Sequence, residues 1–403
     1  MLVMSITSGQ NTAKADWNAA AMQWAERFSS QPVKFSNGGL ISIWANAQVK
    51  RYAISPPEYS RLFITYPKFK NGGGVNTVLR NLGKTAPLVV YLSGVFGNAE
   101  DDFGFRAVEW FASRGYHVLV LPNAWGRSYL EREPSYDPGD VENEAKFVLA
   151  AIRQGIQAIG ESQVSRVELV GESYGGFLAS AVAVLDANSR KPLIQGSYTL
   201  ISPPFNVLKA IANIDQIMNE TDGGFRQRCV GDGYRIYRYF AEMLLASREA
   251  WISSELESCG SALLVHWMQD LMVDAARRLD RMRGLGKAPD AQRNLTAFED
   301  WKSKLRFETV VREYTPTVYL KAMRNRRSQT LTGILVNLPR EAQSRVRIIT
   351  AQDDMLNLGA ISCNANEFGL TSSNLIMLPW GGHIGFTELP EFQNFIDVIF
   401  TQQ

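Results

Sequence analysis

The sequence predicts an α/β protein: a mostly parallel sheet with helices on both faces, interrupted in its second half by a purely helical stretch. Three observations carry this. From about residue 87, apolar runs alternate with amphipathic segments. The runs are apolar throughout rather than at every second position, as in strands buried on both faces between crossover helices. Residues 205–340 then lack strand patterns before the alternation resumes. Hydrophobic residues make up 45% of the 403 and charged residues 20%, enough to build a core.

Taken in order, residues 12–29 read as a helix, with Trp17, Ala21, Trp24 and Phe28 on one face. "LISIWA" and "RLFITYP" read as short strands rich in β-branched and aromatic residues. "PLVVYLSG" is a buried strand ending in a glycine turn. "DDFGFRAVEWFASRG" is a helix with acids in its first turn and Gly115 at its end. "YHVLVLPN", "RVELVG" and "SYTLIS" follow as strands, separated by the helices "VENEAKFVLAAIRQGIQAIG" and "GGFLASAVAVLDA". After "SPPFN" come amphipathic helical faces, one of Ile236, Tyr237, Phe240, Met243 and Leu244, another running from Leu264 to Leu279. "RVRIITAQDD" and "NLIMLPWGGH" restore the strands, and "PEFQNFIDVIFTQ" is a terminal helix. The chain divides into an N-terminal helix and strand extension (1–60), an α/β core (61–204 with 341–403) and a helical insertion (205–340).

A net charge of +2 argues against a nucleic-acid binder, which carries a strongly basic face. The basic runs "ARRLDRMRGLGK" and "KAMRNRRS" read as solvated helix faces. Three cysteines, with no CxxC spacing, point to neither a disulfide framework nor zinc; pairing of Cys229 with Cys259 stays open. No apolar run reaches the length of a membrane span. "MLVMSITSGQ" lacks the basic flank of a signal peptide, so a cytoplasmic location is expected, or export if the true start lies upstream. Oligomeric state is open.

The chemistry concentrates at "VELVGESYGGFLAS", a strand, sharp turn and helix. Gly171, Ser173 and Gly175 supply G-x-S-x-G. Such a turn projects a serine hydroxyl clear of the sheet, and needs small neighbours where strand and helix nearly touch. A serine needs a base. Of the three histidines, His117 lies within an apolar strand and His266 on an insertion helix, whereas His383 follows a strand in the glycine-rich loop "PWGGHIGF". The base needs an acid to fix its tautomer. Asp353 and Asp354 end the strand "IITAQDD"; Asp354 is chosen because the acid sits just past the strand end, and Asp353 is the alternative. The oxyanion amides are assigned to Tyr174, directly after the serine, and to Val95 in the loop "SGVFGNAEDD".

Together, "LSGVFGN", "SRGYHVLVLPNAWGRS", "GESYGG", "AQDDM" and "GGHIGF" resemble the α/β-hydrolase superfamily over about residues 60–204 and 341–403. Within it, the ending and the helical stretch after "SPPFN" are similar to the abhydrolase-domain lipid esterases with a helical cap. Ser93 stands where that family's oxyanion loop usually has histidine, and Met355 where its acid turn has proline. The resemblance implies a carboxylic-ester hydrolase acting on a small ester or lipid-like substrate through Ser173, His383 and Asp354, by an acyl-enzyme, with no metal or organic cofactor. A serine peptidase using the same triad is the alternative expectation, and a binding protein on a retired hydrolase fold a third.

Overall fold

In a computed structural model, the structure describes residues 24, 26–28, 38–220, 254–358 and 374–401. Of the helix expected over 12–29, Trp24 and residues 26–28 are helical. Trp24 stacks on Phe395 with ring centroids 4.3 Å apart, and Phe28 lies 4.4 Å from the ring of Trp380. The amphipathic face from Ile236 to Leu244 lies outside the described residues, as do Cys229, Cys363 and the side chains of Cys259 and His266.

The first long element is a correction. "LISIWA" lies within helix α1 (Gly38–Ile54), not in a strand. Its residues Ile41 to Asn46 are all buried, because α1 packs at once against helix α2 (Asp102–Ala112), helix α6 (Ser254–Arg283) and the turn Gly385–Glu388. A helix enclosed on several sides shows no polar face, and a short apolar run without one cannot be told from a strand.

Strands β1 (Ser60–Thr65) and β2 (Gly74–Arg80) pair antiparallel, and β2 also runs against β4 (His117–Leu121). The second of these, "GVNTVLR", lies upstream of the strand–helix units seen in the sequence. The remaining strands β3 (Ala86–Leu92), β5 (Val164–Glu172), β6 (Tyr198–Ile201), β7 (Val346–Ala351) and β8 (Leu375–Leu378) are all parallel to their neighbours. The eight strands stand in the order β1-β2-β4-β3-β5-β6-β7-β8. This order, with only β2 reversed, is the α/β-hydrolase fold. His117, Val118, Leu119, Val120 and Leu121 of β4 are all buried, as is every residue of β7, which is why these strands read as continuous apolar runs.

Crossover helices α2, α3 (Val141–Ile159) and α4 (Tyr174–Ala187) link the central strands. Asp101 starts α2 by accepting the Gly104 N–H at 2.8 Å, and Asp140 caps α3. Between β6 and β7 the described residues are helical: α5 (Val207–Glu220), α6, α7 (Leu295–Lys304), α8 (Phe307–Tyr314), α9 (Pro316–Arg324) and shorter turns. Helix α10 (Pro390–Thr401) closes the core. In the basic run on α6, Arg278 pairs with Asp274 and Glu131, and Arg283 with Asp137.

The chain leaves β3 to one side for β4 and returns to the other side for β5. Open α/β sheets bind ligands beyond the carboxyl ends of the strands at such a reversal. Here that crevice lies past Leu92 and Glu172, beside Ser173.

Candidate active site

Ser173 joins β5 to α4 with φ 54° and ψ −126°, a conformation that costs a non-glycine residue on the order of 1–3 kcal/mol. The turn is held from both sides: the Ser173 N–H donates to the Ile201 carbonyl of β6 at 2.8 Å, and its own carbonyl accepts the Gly176 N–H at 2.9 Å. Helix α4 starts so close to β3 that a Cβ at Gly175 would lie 2.2 Å from the Leu92 carbonyl oxygen, so only glycine fits there. The Ser173 hydroxyl caps nothing in its own helix, which leaves it free to point at His383.

The Ser173 Oγ lies 2.8 Å from His383 Nε2, and His383 Nδ1 lies 3.1 Å from both carboxyl oxygens of Asp354. A carboxylate only accepts, so Nδ1 carries the ring proton and Nε2 accepts the Ser173 O–H. Asp354 is fully buried, while Ser173 and His383 are 5% and 8% exposed. The adjacent aspartates divide their work. Asp354 also accepts the Leu356 N–H at 2.9 Å, whereas Asp353 accepts the Gly382 N–H at 2.8 Å and so fastens the glycine turn that carries His383. Burial pushes the Asp353 carboxyl up, and the Gly382 and Gly381 amides pull it down.

The loop after β3 lies against the serine. A Cβ on Gly94 would sit 3.3 Å from Ser173 Cβ. A turn closed by the Gly97 N–H on the Gly94 carbonyl at 3.0 Å follows, with Val95 and Phe96 at its centre. Phe96 holds φ 65°, where such a turn usually has glycine. Its ring packs 5.6 Å from Phe307 and 6.5 Å from Trp125, which fixes the strained backbone. Tyr174 is the first residue of α4, so its N–H has no acceptor within the helix. Val95, Tyr174 and Ser173 line one cavity together.

That cavity, of about 80 Å³, is apolar and is walled by Trp125, Ile211, Ile214, Phe307 and Val311. A second, of about 260 Å³, is also lined by Ser173. Its lining includes Trp267, Met268 and Leu271 of α6 together with Asn46, Lys50 and Asp102, and Lys50 pairs with Asp102. Ser173, Val95 and Met268 line both, so the hydroxyl stands at the junction.

Sequence reasoning did not find the supports of this site. The His383 N–H donates to Ser42 Oγ of α1 at 2.8 Å, and the Ile384 N–H to Ser202 Oγ at 3.2 Å. Asn357 links the acid turn to the end of β6, donating to the Pro203 carbonyl at 3.0 Å and accepting the Phe205 N–H at 2.8 Å. His117 is buried away from this chain of bonds: Nδ1 accepts the Leu82 N–H at 3.1 Å and Nε2 faces the Gln163 carbonyl at 3.3 Å, and burial lowers its pKa. Among the described residues, no group of three or more His, Cys, Asp or Glu is placed to hold a metal ion, and no helix is long and apolar enough to cross a membrane.

Beneath the serine, Glu144 accepts the Tyr174 hydroxyl at 2.9 Å and the Gly139 N–H at 2.6 Å. Burial pushes its carboxyl from 4.5 up to about 7, and those two donors hold it from rising further. The folded protein keeps this proton at pH values where the unfolded chain has released it. Stability therefore falls as pH rises from 4.5 through about 7. At ~1.4 kcal/mol per pKa unit, the full effect is roughly 3 kcal/mol. Glu144→Gln, neutral at every pH, is expected to raise the Tm at pH 8 and to reduce the drop in Tm between pH 5 and pH 8. Asp101, pushed by burial to about 6, acts with the same sign and remains in the variant, so the drop shrinks rather than disappears. Thermal melts of both proteins across that range decide it; a variant no more stable than wild type at pH 8 would sink the assignment.

No family profile matches the chain, and no curated protein sequence does. Among solved structures, the chain is similar to the Pyrococcus furiosus esterase Pf2001 at 14% identity and TM-score 0.44, over 84% of this chain and 90% of that one. It is similar to esterase B from Lactobacillus rhamnosis at 14% identity and TM-score 0.44, over 98% of each chain. It is also similar to a lipase in its open form at 12% identity and TM-score 0.42, over 85% of this chain and all of the other.

Proposed function

We propose that this protein is a serine hydrolase of carboxylic esters. The observation that carries the reading is the unbroken line of hydrogen bonds from Ser173 through His383 to buried Asp354, with the serine at a strained turn between two cavities. As the Ser173 oxygen attacks the ester carbon, His383 Nε2 takes the hydroxyl proton and Asp354 stabilises the imidazolium. The amides of Val95 and Tyr174 receive the developing oxyanion. His383 returns the proton to the leaving alcohol, which departs. Water then enters, loses a proton to His383 and attacks the acyl carbon; His383 returns that proton to Ser173 Oγ as the acyl–oxygen bond breaks and the acid leaves. The apolar cavity takes the acyl group. The larger cavity, lined by Trp267, Met268 and Leu271 together with Asn46 and the Lys50–Asp102 pair, takes the alcohol.

Labelling with a fluorophosphonate, followed by turnover of p-nitrophenyl esters of increasing acyl length and of one p-nitroanilide, tests this. Covalent labelling of wild type but not of Ser173→Ala is expected. Ester turnover should rise with acyl length and then fall once the chain exceeds the apolar cavity. Absence of labelling in the folded protein would overturn the reading, and faster turnover of the anilide than of the matching ester would favour a peptidase.

A further inference from the structure

A second polar system lies beside the reacting residues, built around a buried cation. Arg106 on α2 is among the largest fully buried side chains of the protein, with 0% exposure. One guanidinium nitrogen, Nη2, donates to Glu172, the residue immediately before Ser173, and lies 3.3 Å from the Tyr91 hydroxyl. Tyr91 itself donates to the other Glu172 oxygen. The second nitrogen, Nη1, donates at 3.0 Å to both Thr387 Oγ1 and Glu388 Oε1, in the short helical turn that follows His383. The guanidinium plane lies over Trp110 at 4.1 Å and Phe103 at 4.9 Å. Arg51 of α1 meets the far side of Glu388 at 3.3 Å. Burial pushes the Glu388 carboxyl up, and Arg106 pulls it back.

We infer that Arg106 is a positioning residue, whose rigid fork holds the strand end bearing Ser173 and the turn bearing His383 at their working separation. The inference rests on the hydrolase reading. Its physical basis is that the two arms of one planar group cannot move independently. The serine sits one residue from one arm's partner, and the histidine lies on the loop running into the other's. A buried ion pair is weak support for stability, because apolar residues of the same volume often serve as well or better. What the apolar replacement cannot supply is a fixed distance between two carboxylates on different segments. A displacement of about 1 Å between reacting groups costs on the order of 100-fold in rate.

Three variants test this: Arg106→Met, Arg106→Lys, and Arg106→Met combined with Glu172→Gln and Glu388→Gln, which leaves no orphaned carboxylate. Each is checked by thermal unfolding and near-UV circular dichroism, titrated to completion with fluorophosphonate, and assayed for kcat and KM on a short p-nitrophenyl ester. The triple variant is expected to melt cooperatively, with kcat per titrated site lower by about 100-fold, KM within a few-fold of wild type, and fluorophosphonate labelling slowed in parallel. Arg106→Lys should not restore kcat, since a single ammonium on a flexible stem lacks the planar fork that fixes both carboxylates at once. A folded triple variant with kcat close to wild type overturns the proposal, and so does rescue by lysine. If none of the three folds, the network serves folding and the positioning role is likewise rejected. Failure of wild type to label at all would reject the hydrolase reading instead.

Discussion

Replacing Ser173 by alanine is expected to lower ester turnover by at least about 10⁴-fold while leaving thermal unfolding unchanged within about 1 kcal/mol. The structure separates the two outcomes cleanly. Among the described residues the hydroxyl makes one hydrogen bond, to His383 Nε2, and it does not cap α4. The strained backbone is held by main-chain bonds to Ile201 and Gly176, which alanine keeps. What disappears is the atom that would bond to the acyl carbon. Residual catalysis should remain above that of buffer, because both cavities and the amides of Val95 and Tyr174 stay in place. A variant retaining a tenth or more of wild-type turnover would mean that another group performs the chemistry.

The second large effect separates neighbouring aspartates. Asp354→Asn is expected to reduce kcat by about 10⁴-fold, and Asp353→Asn by less than tenfold. An asparagine amide facing Nδ1 offers an N–H where the ring also has one. Its alternative orientation leaves an acceptor weaker than a carboxylate. Either way the imidazolium loses its counter-charge, and in the first orientation the neutral ring is also driven toward the tautomer that cannot accept the Ser173 proton. Asp353 meets a backbone N–H of Gly382, which an asparagine oxygen accepts equally well, and burial already disfavours its charge. Steady-state kinetics on both variants decides the matter; equal losses would refute this division of roles.

The segments that meet around Ser173 were legible because their chemistry is local. "GESYGG", "AQDDM" and "PWGGHIGF" set Ser173, Asp354 and His383 beside glycines or a strand end, "SGVFGN" follows a strand directly, and the sheet order brings those four ends together. Two kinds of feature were not legible. Helix α1 passed as a strand because Ile41, Ile43, Trp44 and Ala45 are enclosed on all sides, which erases the helical period. Ser42 and Arg106 carry no motif. Ser42 meets His383 across 341 residues and Arg106 meets Thr387 across 281, and only the folded chain shows these contacts. Glu172 offered a faint signal, a carboxylate beside the serine at the end of an apolar strand, with no indication of the arginine that meets it.

The wide spacing of these contacts has a consequence for how the protein is made. Ser173 and His383 are 210 residues apart, and Ser42, which fastens the histidine loop, waits through 341. A ribosome therefore displays a finished serine turn long before a base exists to activate it. On the proposed reading, the nascent chain passes a large part of its synthesis without the histidine that would activate Ser173. Activity therefore requires the histidine loop to have met both α1 and the serine turn, contacts that span 341 and 210 residues, so its onset would report long-range closure of the fold rather than formation of the sheet.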